Sequence, residues 1–235
     1  EDGIAHLKAM SPVDCIFLDP ARRNEHGGKA VAISDCEPDV AALEGLLLNK
    51  AKQVMVKLSP MLDLSLALRE LQQTQEVHII SVNNECKELL LILGQTIPQE
   101  IKIHCVNLST KGEQEEQHFT FTREQEQCSQ CNYTDSLDEY LYEPNASLLK
   151  AGAFKSLSSA FPIRKLHPNS HLYTSDSFIE NFPGRIFRIV NQCSFNKKEV
   201  KENLADLKKA KEIAGQINMM KVVKDSTIWD SIAPQ

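Results

Sequence analysis

The sequence predicts an α/β fold with a mostly parallel sheet, followed by a smaller α+β module, and three observations lead there. Short apolar runs rich in β-branched residues alternate with stretches of helical periodicity between residues 3 and 93, and such alternation argues for right-handed crossovers and a parallel sheet. A polar, acidic stretch at 127–138 then interrupts the pattern. From Tyr140 onward helices and short strands follow one another without that rhythm. The expected division is therefore residues 1–127 and 139–235.

The elements are read in order. Residues 3–10 form the end of a helix leading into Val13-Asp14-Cys15-Ile16-Phe17-Leu18, an apolar run that reads as a strand buried on both faces. Asp19-Pro20 falls at its carboxyl end, where open α/β sheets bind their ligands. The same dipeptide also reads as a strand-terminating turn, since proline cannot continue a central ladder. Asn24 to Lys29 is polar and glycine-rich, a mobile loop beside the crevice. Pro38 suits the first turn of a helix with Val40, Leu43 and Leu47 on one face, and Gln53 to Leu58 is the next buried strand.

Ser59-Pro60 combines a capping hydroxyl with a proline at the first helical position. Met61, Leu64, Leu68 and Leu71 then recur at helical spacing, with Asp63 in the first turn. Val77 to Val82 is a third strand and Asn83-Asn84 a tight turn. Cys86 to Leu93 is either a returning strand or a short helix, which periodicity does not separate. Residues 101–109 and 118–126 pair as strands around Lys111-Gly112. Further on, Leu148 to Ala160 reads as helix broken at Gly152, and His171 to Thr174 and Arg185 to Val190 as strands. Lys197 to Ala214 is an amphipathic helix with Val200, Leu204, Leu207 and Ala214 along one stripe.

Composition narrows the class. At 235 residues and 42% hydrophobic content the chain can bury a real core, and no apolar stretch approaches the roughly 18 residues of a membrane helix. Glu1-Asp2-Gly3 lacks a secretory pattern, and the missing initiator methionine suggests a longer natural chain. Seven cysteines, mostly scattered singly, fit reduced thiols and a cytoplasmic location. Cys128-Ser129-Gln130-Cys131 has metal-ligand spacing without a second pair, so it reads as an unligated loop and no metal is expected. The net charge of −6 is uneven: about −12 over residues 1–149 and +8 over 150–224. A basic module on an acidic body is the footprint of a part that touches phosphate; a solvated lysine-rich helix explains it as well.

Several blocks together resemble bacterial THUMP-like-domain methyltransferases. They are Val13 to Arg23, Val56 to Asp63, Asn84 to Leu90, Tyr140 to Asn145, and Leu149 to Phe154. The resemblance implies a partial Rossmann-like class I methyltransferase sheet, with residues 13–18 as its fourth strand, followed by a THUMP-like α+β module that contacts RNA. It implies S-adenosylmethionine as cofactor, with Asp19 and Pro20 catalytic and Arg22, Arg23, Lys57 and Ser59 contacting substrate. In relatives with an aromatic after Asn/Asp-Pro-Pro, the acid or amide and the next carbonyl accept hydrogen bonds from the acceptor amine. Here Arg22 stands where that aromatic would be, able to stack on a base or grip phosphate.

Two departures qualify this. Lys57-Leu58-Ser59-Pro60 stands where RNA uracil methyltransferases carry a nucleophilic cysteine, which favours direct in-line transfer governed by positioning. No G-x-G occurs among the nine glycines, so the cofactor-holding turn is expected upstream of residue 1. Two other functions stay open: a non-catalytic RNA-binding module with a methyltransferase-like fold, and a small-molecule methyltransferase.

Overall fold

The computed structural model describes residues 2–22, 33–110, 116–193, 196–199 and 201–202. In chain order the elements are α1 (Gly3–Ala9), β1 (Val13–Leu18), β2 (Ala21–Arg22), a 3-10 turn (Ile33–Asp35), β3 (Cys36–Glu37), α2 (Val40–Lys50), β4 (Ala51–Leu58), α3 (Leu64–Glu70), β5 (Thr74–Val82), β6 (Glu85–Gly94), β7 (Lys102–Leu108), β8 (Gln117–Thr122) and α4 (Arg123–Cys128). Then come β9 (Tyr140–Pro144), α5 (Ala146–Ala151), α6 (Phe154–Ala160), β10 (Arg164–Lys165), β11 (Tyr173–Ser175) and β12 (Gly184–Arg188). The chain divides into two compact units. The first comprises Glu1–Cys131, Pro144–Phe161 and Asn181–Arg185; the second comprises Asn132–Glu143, Pro162–Glu180 and Ile186–Gln235.

The α/β architecture expected from the sequence is present, as a mixed sheet and a smaller antiparallel one. The first unit holds six strands in the order β1-β4-β6-β5-β7-β8. β1 runs parallel to β4, and β5 parallel to β7. Between them lies β6, antiparallel to both β4 and β5, so the expectation of a parallel sheet is corrected. The cause is the Asn83-Asn84 turn. Both asparagines take positive φ, 51° and 64°, a pair of left-handed residues that matches the twist of a two-residue hairpin. The hairpin returns Cys86 to Leu93 as a strand, which settles that ambiguity, and the strand slots into the gap between β4 and β5.

A second correction concerns β1. As an edge strand with β4 its only partner among the described residues, it is not buried on both faces: Phe17 is 57% and Val13 39% exposed. The central strands largely alternate, apart from the buried run Leu91-Ile92-Leu93 at the end of β6. Val54, Val56 and Leu58 of β4, Val77 and Ile79 of β5, Leu89, Leu91 and Leu93 of β6, and Ile103 and Cys105 of β7 are buried, with Val40, Leu47, Leu148 and Leu157 from the helices. Met55, Lys57, His78, Ile80, Leu90 and His104 face the other way and are half-buried.

Helix starts differ from expectation where a carboxylate outcompetes a nearby hydroxyl. α3 starts at Leu64 because Asp63 caps it, its Oδ1 accepting from Leu66 N–H at 2.8 Å. Ser59 closes a preceding turn instead, and Met61 lies outside the helix, 58% exposed. Asp39 likewise caps α2, leaving Pro38 before the helix, and Asp2 caps α1. Residues 123–126 are helical, not strand, because Thr122 and Gln125 form a capping box. Gly152 does break the 148–160 helix, at φ 71°.

In the second unit the order is β10-β11-β9-β12. Tyr142 and Tyr173 are fully buried. The Tyr142 hydroxyl donates to Ser177 O at 2.5 Å and accepts from Ile179 N–H at 3.1 Å, and Arg164 pairs with Asp138. Residues 197–199 and 201–202 are helical. The rest of the expected 197–214 helix lies outside the described residues, as do the 24–29 loop and the Lys111-Gly112 turn. No helix among the described residues is long and apolar enough to cross a membrane.

Candidate functional site

The parallel register of β1 and β4 sets Leu18 against Val56, so the next residue on each chain, Asp19 and Lys57, meet where β1 ends. Lys57 Nζ lies 2.7 Å from Asp19 Oδ2 and 3.8 Å from Glu88 Oε2. Glu88 arrives on β6, whose pairing sets Leu90 against Lys57. The result is an acid-lysine-acid row across three strands, open to solvent: the side chains are 54%, 32% and 39% exposed. The Asp19 hydrogen bond, then the Glu88 and Asp19 charges, outweigh desolvation and raise the Lys57 pKa. The lysine therefore stays cationic at neutral pH, hydrogen-bonded to Asp19.

The other expected residues are placed as follows. Pro20 is buried beside Asp19. The Ser59 hydroxyl accepts from Met61 N–H at 3.3 Å, and its carbonyl from Leu62 N–H at 3.1 Å. The Arg22 backbone pairs with Cys36, while Arg23 lies outside the described residues. Glu88 was not singled out from sequence; only the strand order brings it to Lys57. Cys86, two residues before it, is a half-buried thiol whose pKa burial raises, against a Ser81 hydrogen bond. It is poorly suited to act as a thiolate nucleophile.

Two shallow hollows lie elsewhere. One is lined by Val13, Ala51 and Lys52, the other by Gly45, Gln73 and Gln95. The first sits at the starts of β1 and β4, the opposite end from Asp19. An S-adenosyl cofactor needs a backbone cradle and a ribose-binding acid. The row at Asp19 supplies two carboxylates but no backbone cradle, and its groups suit an acceptor.

The mixed sheet with its smaller antiparallel partner is consistent with a methyltransferase-like α/β fold. Among solved structures the chain is similar to a candidate methyltransferase from Porphyromonas gingivalis W83, at 40% identity and a TM-score of 0.69, over 86% of this chain and 48% of that one. The chain thus spans about half the length of that neighbour. Residues 140–183 match a ferredoxin-like domain family. No curated protein matches the chain.

Proposed function

We propose that the chain is the acceptor-side part of an S-adenosylmethionine-dependent methyltransferase acting on RNA by direct transfer. The observation that carries this reading is the Asp19-Lys57-Glu88 row at the carboxyl end of β1, on a chain 40% identical to the P. gingivalis protein. The cofactor, when bound, supplies an activated methyl group. Asp19 orients the acceptor. Lys57 engages one of its carboxylate oxygens, and the other, with the Pro20 carbonyl, accepts hydrogen bonds from an acceptor amine. Positioning of this kind lowers the barrier by fixing the attack geometry. RNA as substrate is supported by the +8 charge over residues 150–224 and by Arg22, whose guanidinium chemistry suits a base or phosphate.

The test is methyl incorporation from labelled S-adenosylmethionine into total RNA by the full-length protein and its Asp19→Ala variant. The expected loss is about 10²-fold, with the melting temperature nearly unchanged because the ion pair is exposed. Full activity in Asp19→Ala would overturn the assigned role. Methylation of small molecules alone would overturn the substrate class.

A further inference from the structure

Away from this row, β5 and β7 bring together three groups that the methyl-transfer reading does not use. Glu76 and His78 are two apart on β5 and share its half-exposed face. The parallel register sets His104 of β7 directly against His78. Glu76 Oε2 lies 3.3 Å from His78 Nε2 and 3.8 Å from His104 Nε2, and all three ligand atoms fall within 4.8 Å of one another.

The environment of His104 supplies a second, independent observation. Its Nδ1 lies 3.0 Å from the Thr120 hydroxyl on β8, whereas its Nε2 is buried and has no hydrogen bond. The Thr120 contact is compatible with either tautomer; in the one where Nδ1–H donates to Thr120, Nε2 turns a bare lone pair toward a carboxylate oxygen. Two acceptors opposed at that distance repel unless a cation lies between them.

We propose that Glu76, His78 and His104 bind a divalent first-row transition ion, zinc foremost, which clips β5 to β7. Two imidazoles and one carboxylate are a known zinc donor set, and bonds of about 2.1 Å in tetrahedral array put ligand atoms roughly 3.4 Å apart. The carboxylate contacts bracket that spacing. Thr120 acts as the outer partner that fixes the His104 tautomer. Without metal the two rings stack, with centroids 4.6 Å apart at 18°. Binding turns them about their soft terminal torsions until both Nε2 lone pairs converge on the ion.

The experiment uses the 235-residue chain, stripped with chelator. Zn²⁺ is titrated by calorimetry, and Co²⁺ is added as a spectroscopic probe. The wild type takes up one equivalent of Zn²⁺ and shows the visible bands of tetrahedral Co²⁺. The near-isosteric Glu76→Gln variant, and separately His78→Ala, weaken binding at least tenfold, and the double variant abolishes it. Circular dichroism reports whether each remains folded, and Glu76→Gln stands as the test should His78→Ala unfold. Unchanged affinity in folded Glu76→Gln overturns the proposal. So does loss of the bound equivalent in Cys128→Ser/Cys131→Ser, which would move the site to the cysteine pair.

Discussion

Asp19 and Lys57 lie 38 residues apart in sequence and 2.7 Å apart in space, and one register relation accounts for it. A lysine three residues before a proline looks like a strand end with a snorkelling side chain; its carboxylate partner emerges once β1 is known to lie beside β4. The cysteines show the same dependence on burial. Cys15 and Cys128 are exposed, Cys36 and Cys105 are buried, and Cys86 is intermediate with a raised pKa. Because only the thiolate attacks an alkylating reagent, native labelling with N-ethylmaleimide near neutral pH is expected to modify Cys15 and Cys128 first. Cys86 follows slowly, and Cys36 and Cys105 react only after unfolding. Peptide mass spectrometry checks the order, and labelling of Cys105 as fast as Cys15 would contradict its place in the core. Asp19 was legible because an acid after an apolar run is a local pattern. Glu88 was not, since nothing within the sequence of β6 says which strand it joins.

Among elements, α6 is capped by a residue outside itself. Its N-cap position is Ala153, which offers no side-chain acceptor. Glu126 of α4 supplies one instead, accepting from the backbone N–H of Phe154, Lys155 and Ser156 at 3.1, 2.9 and 2.8 Å and from the Ser156 hydroxyl at 2.6 Å. Charge-assisted bonds to a helix N-terminus are stabilising and costly to remove. Glu126→Ala is expected to lower unfolding free energy by about 2 kcal/mol, measured by urea denaturation, and a change below a few tenths would mean the cap is idle. Gly152 closes α5 in the left-handed region, donating to the carbonyls of Leu148 and Leu149. A Cβ there meets nothing within 4 Å, so Gly152→Ala tests backbone strain alone, at about 1 kcal/mol. Both the break at Gly152 and the Asn83-Asn84 turn could be read from sequence, because each rests on a residue type whose local geometry is special. The insertion of β6, the Glu126 cap and the edge position of β1 could not, because they join segments distant in the chain.

At the scale of the whole molecule, β1 and the candidate site belong to the same edge of the sheet. β1 is apolar yet half-open, with Phe17 57% exposed, and an edge of that composition is ordinarily covered or paired. Asp19 follows directly from it, so the open β1 edge and Asp19 are neighbours. The chain places Asp19, Lys57 and Glu88 there, and none of its nine glycines falls in a G-x-G pattern. If the site is completed by a second segment, the 235-residue chain alone should bind S-adenosylmethionine feebly, with a Kd above about 1 mM, weaker than about −4 kcal/mol. Isothermal calorimetry on this chain, with a longer chain that also carries a glycine-rich strand-turn-helix segment as comparison, measures the difference. Saturable micromolar binding by residues 1–235 would mean that the cofactor is held by groups other than a glycine cradle. It would also return attention to the Asp19-Lys57-Glu88 row as more than an acceptor surface.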